Sequence, residues 1–163
     1  MLYLRWCGAA LMLIFALFCG REYSAYAERR SGEGRAVLSL LAHIEKMIDS
    51  YLSPHGELFL GFNDEWLEGC GFLAALRSGE GLASAFSSSQ EKMLLSEGVK
   101  KRLSDYFSDF GKGYKEAELK RLRDCRADIE KMLLSEGDEL KKSVKVARAL
   151  LLGGAVGIAI LII

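Results

Sequence analysis

The chain has 163 residues, half of them apolar, with 22 Lys and Arg set against 22 Asp and Glu. A chain of about one domain's length at zero formal charge does not fit a nucleic-acid binder, which carries a basic surplus on one face. The four cysteines form no CxxC and neither His43 nor His55 stands at ligand spacing from one, so no zinc site and no cofactor are expected.

Apart from Arg5, every charged residue falls between Arg21 and Arg148. The first uncharged run, Trp6–Gly20, reads as an N-terminal transmembrane anchor over residues 1–20, short for the purpose but extended by a snorkelling Arg5. A rival reading takes Arg5, the apolar run and Ser24-Ala25-Tyr26-Ala27 as a signal peptide cleaved after Ala27, leaving an exported, C-terminally anchored binding protein. Charge favours the anchor. Arg21, Arg29, Arg30 and Arg35 follow the first run, and Lys141, Lys142, Lys145 and Arg148 precede the last. By the positive-inside rule, Arg21 and these four flanking cations hold the intervening residues in the cytoplasm.

Residues 21–34 are polar and bear Gly and Arg, which suggests a juxtamembrane connector. Val37, Leu40, Leu41, Ile44, Met47, Ile48 and Tyr51 then recur at steps of three and four, predicting an amphipathic helix that ends at Ser53-Pro54-His55-Gly56. Leu58, Leu60 and Phe62 alternate, but no partner strand is visible, so helix or loop is expected there. Asn63 is the expected N-cap of a short helix from Asp64, with apolar Trp66, Leu67, Phe72, Leu73 and Leu76 after it. Arg77–Gly81 reads as a turn and Leu82–Phe86 as another short helix.

Val99, Leu103, Tyr106, Phe107 and Phe110 form a helical stripe, with Gly111 and Gly113 as its terminating turn. A last helix from about Lys115 carries Leu119, Leu122, Ile129, Met132, Leu133, Leu140, Val144 and Ala147 into the uncharged end. Within residues 147–163, read as a C-terminal transmembrane helix, Gly153 and Gly157 are spaced for close packing on another span. The expected fold is all-α: an antiparallel bundle of short helices over residues 35–146, facing the cytoplasm between two transmembrane helices.

The octapeptide EKMLLSEG occurs twice, at Glu91–Gly98 and Glu130–Gly137. The sequences that follow differ, so this is no solenoid repeat. The first copy is expected to straddle a helix start with Ser96 as N-cap, the second to lie inside the last helix, where Gly137 marks a kink site.

No P-loop, GxSxG, HExxH or dinucleotide fingerprint is present. Carboxylates alternate with cations, as in Glu116/Lys120 and Glu118/Arg121, which describes a solvated helix face and no catalytic pair. Cys125 lies among Arg123, Asp124 and Arg126 without a helix N-terminus or histidine to activate it. His43 reads as a core-edge residue. An enzyme acting on a small-molecule substrate is therefore not expected, and interaction is. Lys100, Lys101, Arg102, Lys115, Glu116 and Arg123 form the candidate partner-docking face, its mixed charge suited to a protein of complementary pattern.

Taken together, a short apolar start, the helix AVLSLLAHIEKMIDSYLSP, the segment YFSDFGKGYKEAELKRLRDCRADIEKML and the terminal ALLLGGAVGIAILII resemble the stage III sporulation protein AB family along essentially the whole chain. Family members often carry a longer Leu-Gly and Asp/Gln-bearing stretch after the turn that is Gly111–Tyr114 here. The resemblance implies a helical domain like the cytoplasmic domain of the type II secretion platform protein. It also implies a place in the mother-cell membrane around the forespore, within a channel-like assembly. The partners it implies are a secretion-type ATPase, stage III sporulation protein AA, and other membrane subunits.

Overall fold

A computed structural model describes residues 2–50, 59 and 61–162. Its helices among the described residues are α1 (Leu2–Ser50), α2 (Glu65–Gly69), α3 (Phe72–Arg77), α4 (Leu82–Ser89), α5 (Glu97–Asp109) and α6 (Lys115–Ile162), with a 3-10 turn at Gln90–Lys92. There is no strand among the described residues. The Ser53–Gly56 break, with Pro54, and the alternating Leu58 and Leu60 lie outside the described residues.

Contacts divide the chain into a core unit, Arg29–Ser135, and a terminal unit made of Met1–Glu28 and Glu136–Ile163. The division between the two units falls after Glu28 and after Ser135. Residues 21–34, expected as a connector, are helical within α1.

In the core unit α1 buries Ala36, Val37, Leu40, Leu41 and Ile44, the stripe that its three- and four-residue spacing predicts. α6 contributes Leu122, Cys125 and Ile129 to the same core, all fully buried, with Met132 and Leu133 packed against it. The short helices α2, α3 and α4 add Leu67, Phe72, Leu73, Leu76, Leu82, Ala85 and Phe86 to that core. Asp64, one residue after the expected cap, starts α2: its Oδ1 accepts from the N–H groups of Trp66 (3.0 Å) and Leu67 (3.4 Å). Asn63 instead accepts from Arg77, which also donates to Glu68 at 2.8 Å. Gly71 begins α3 at φ +85°, a left-handed conformation that a side chain disfavours. Phe72, Phe86 and Phe107 meet with ring centroids 5.2–6.3 Å apart, tying α3, α4 and α5 together.

Ser96 caps α5, its Oγ accepting from the Val99 N–H at 3.4 Å. Met93 and Leu95, extended just before it, are buried. Val99, Leu103, Tyr106 and Phe107 line the buried face of α5, and Gly111 turns the chain at φ +78°.

In the terminal unit Tyr23 Oη and Ser143 Oγ lie 3.1 Å apart, and Arg148 donates to Ser24 Oγ at 2.8 Å. Ala16 and Ala155 are buried, whereas Leu11, Ile14, Phe15, Leu17, Phe18, Leu150 and Ile160 are exposed. No helix among the described residues is long and apolar enough to cross a membrane. This overturns the expected pair of transmembrane helices around the bundle. The reason is length: each uncharged run of about 15 residues reaches about 22 Å, against a hydrocarbon core of about 30 Å. Beyond those runs, α1 and α6 continue into charged sequence.

Candidate docking cleft

α1 sets Arg29 and Glu33 one turn apart on a single face of the core unit. α2 brings Glu65, Trp66 and Gly69 opposite, and the extended stretch before α5 brings Lys92 and Leu94. Together with Cys70 these residues line a cleft of about 460 Å³.

Two contacts fix its walls. Glu33 is buried, at 8 % exposure, and its Oε2 accepts from the Leu94 N–H at 2.5 Å. Burial pushes its carboxyl above the usual range, and the Leu94 hydrogen bond and the field of Lys100 offset this in part. The Trp66 indole lies against the backbone of α1 at Gly32, so close that a Cβ there would come within 2.6 Å of Trp66 Cε2. Trp66 remains 39 % exposed while the adjacent Leu67 is buried, as the 100° step between successive helical residues requires. Cys70 is a buried free thiol whose Sγ donates to the Leu67 carbonyl at 3.3 Å, and burial raises its pKa above the ordinary value.

The residues expected to form one docking face are distributed differently. On α5 Lys100 pairs with Glu97 at 3.1 Å and Arg102 with Asp128 of α6 at 3.0 Å, while Lys101 is exposed. Lys115 Nζ donates to the Asp49 carbonyl at 2.7 Å, and Arg123, with Arg126, grips Glu45 of α1 at 2.7 and 3.0 Å. Arg102, Lys115 and Arg123 therefore join α1, α5 and α6 to one another, and Lys101 and Glu116 remain open to solvent. The pair Glu118/Arg121 forms at 2.8 Å, with Glu118 buried beside Tyr106, whose hydroxyl is driven strongly upward by burial and by that carboxylate. Gly113 lies against Arg121, a Cβ there meeting Nη2 at 2.5 Å.

Among the cations of the terminal unit, Arg21, Lys142 and Lys145 are exposed and Lys141 lies 3.8 Å from Asp138. Gly153 and Gly157 are exposed, and a Cβ at either meets no described atom within 4 Å. Cys125 is fully buried on the α6 stripe, its thiol pushed up to about 11 by burial. Its arginine neighbours in sequence do not make it reactive. His43 is half-buried, its ring 5.3 Å from that of Phe62. Among the described residues no group of three or more His, Cys, Asp or Glu is placed to hold a metal.

The cleft is not legible from sequence as such. Trp66 reads as one more apolar residue before Leu67, and the signals that point to it are indirect: Arg29 and Glu33 at i,i+4, and Gly32 where a helix would otherwise prefer a side chain.

The family model for stage III sporulation protein AB matches residues 5–163. The chain belongs to that family. It is thus a stage III sporulation protein, and the match extends over both the core and the terminal units. Neither the curated proteins nor the solved structures gave a match to the chain.

Proposed function

We propose that this stage III sporulation protein is a non-enzymatic docking component that holds a secretion-type ATPase to a membrane complex during endospore formation. The observation that carries the reading is the Trp66 cleft, a part-exposed indole backed by Gly32 and edged by both signs of charge. Tryptophan and arginine are the residues most enriched where partners bind tightly. The chemistry of the thiols supports a role without catalysis: Cys70 and Cys125 are both buried and both hold their protons more firmly than a free thiol.

In this reading the core unit faces the mother-cell cytoplasm, and the exposed apolar residues of the terminal unit, Phe15 and Phe18 among them, attach the protein to its membrane complex. The test is capture of the ATPase from the same organism by the tagged full chain. Trp66→Ala should weaken capture by about tenfold or more. Capture equal for wild type and variant would remove the cleft from the interface, and no capture by either would remove the ATPase. Alkaline phosphatase activity from fusions within residues 36–140 would contradict a cytoplasmic core unit.

A further inference from the structure

Glu33 is the buried charge of the cleft, and it makes no ion pair among the described residues. One carboxylate oxygen is occupied by the Leu94 N–H. The cation whose field reaches it, Lys100, is bonded to Glu97 at 3.1 Å. A carboxylate taken out of water without a partner is costly, and the cost falls when a cation arrives with its own hydrogen bonds.

Trp66 and Glu65 line the same cleft. An aromatic face beside the buried carboxylate of Glu33, with the exposed Glu65 at the rim, suits a cation that is also flat. Arginine meets both demands, since its guanidinium stacks on an indole and bonds a carboxylate with two parallel donors, whereas the lysine ammonium is a strongly hydrated point charge. Arg29 and Lys92 also line the cleft, but both are exposed, where water and salt screen them far more than they screen the buried Glu33. Their place at the rim favours acidic neighbours on either side of the incoming cation.

We infer that the cleft receives an arginine side chain from a protein partner, its guanidinium stacked on Trp66 and facing Glu33 and Glu65, with acidic residues flanking that arginine meeting Arg29 and Lys92. This rests on the docking reading above, but it is tested without the ATPase, so the two fail separately. An anion as the primary occupant would have to face the buried carboxylate.

The experiment uses the full chain carrying Trp6→Phe, so that Trp66 is the only indole, and titrates acetyl-arginine amide while following Trp66 emission. Acetyl-citrulline amide, neutral but of similar shape, and acetyl-glutamate amide are the controls. The expected result is a saturable change with the arginine probe alone, weakened at least about fivefold by Glu33→Gln, which keeps an acceptor for Leu94. Glu65→Gln, at an exposed position, should weaken it as well without touching the fold. Helix content by circular dichroism shows whether each variant is folded, and if Glu33→Gln is not, Glu65→Gln decides. Equal responses to arginine and citrulline, a response to glutamate alone, no response, or an undiminished response in the folded glutamine variants would each overturn the proposal.

Discussion

The Glu33 carboxylate on α1 accepts a 2.5 Å hydrogen bond from the main-chain N–H of Leu94, 61 residues further along the chain. It ties the stretch between α4 and α5 to α1, beside the buried Met93 and Leu95, and it fixes one wall of the cleft. Removing it should cost what an unmade hydrogen bond to a charged acceptor costs. Glu33→Ala is expected to destabilise the protein by about 1–3 kcal/mol, and Glu33→Gln by less because the amide oxygen still accepts. Urea denaturation of the full chain followed by circular dichroism measures both.

Two glutamates should respond to acid in opposite directions. The folded-state pKa of Glu33 lies above its ordinary 4.5, chiefly through burial. Its contribution to stability is therefore full below 4.5 and is lost as pH rises through the raised value. Glu45 is held below 4.5, first by its hydrogen bond from Arg123. Its contribution is present above 4.5 and is lost as pH falls through the lowered value. Relative to wild type, Glu33→Gln should lose stability on acidification from neutral pH towards 4.5. Glu45→Gln should be destabilised at neutral pH, with the difference shrinking in stronger acid. Denaturation midpoints across a pH series give the comparison, and midpoints of both variants running parallel to wild type would refute it.

Gly34 is buried on α1 against α6. A Cβ there would come within 2.8 Å of Leu133 Cδ2 and 3.1 Å of Cδ1. Alanine favours a helix over glycine by about 1 kcal/mol, whereas overpacking a core typically costs about 1–3 kcal/mol. Gly34→Ala should therefore be destabilising by up to about 2 kcal/mol, and Leu133→Ala in the same chain should relieve part of that loss. A double-mutant cycle on unfolding free energies reads the coupling directly.

The thiols should separate by burial. Cys19 is half-buried, while Cys70 and Cys125 are buried and their pKa values are raised, that of Cys125 to about 11. With Cys7→Ser in place, a disulfide exchange reagent at pH 8 is expected to modify Cys19 first. Cys70 and Cys125 should follow only in denaturant, since the thiolate is the attacking form. Rapid modification of Cys125 in the native protein would contradict its place in the core.

How far the sequence reveals all this is clearest in EKMLLSEG. In the first copy Ser96 caps α5. In the second, Ser135 lies within α6 and its Oγ donates back to the Met132 carbonyl at 2.9 Å. The flanking stripes alone distinguish the two settings, because periodicity carries across the octapeptide in one case and begins after it in the other. Residues 21–34 show a complementary case. Gly32 and Gly34 belong to the stretch read as a polar connector, and in the core unit they are where the indole of Trp66 and the end of Leu133 lie against α1. Packing overrides the low helix propensity of glycine there. The charged residues expected to form a docking face are legible only as composition. A sequence shows that Arg102, Lys115 and Arg123 are charged, and it does not show that their partners are Asp128, Asp49 and Glu45 of the same chain.

The way the core unit is closed has a consequence for its birth on the ribosome. Val37, Leu40, Leu41 and Ile44 share one core with Leu122, Cys125 and Ile129, so the first helix to be synthesised awaits the last. Until residue 129 has left the exit tunnel, that apolar stripe lacks the part of its cover that α6 supplies. Vectorial synthesis therefore exposes a sticky helix for the time it takes to add some eighty residues, several seconds or longer at about 5–20 residues per second. Chaperone capture of this nascent chain should fall away only as α6 emerges.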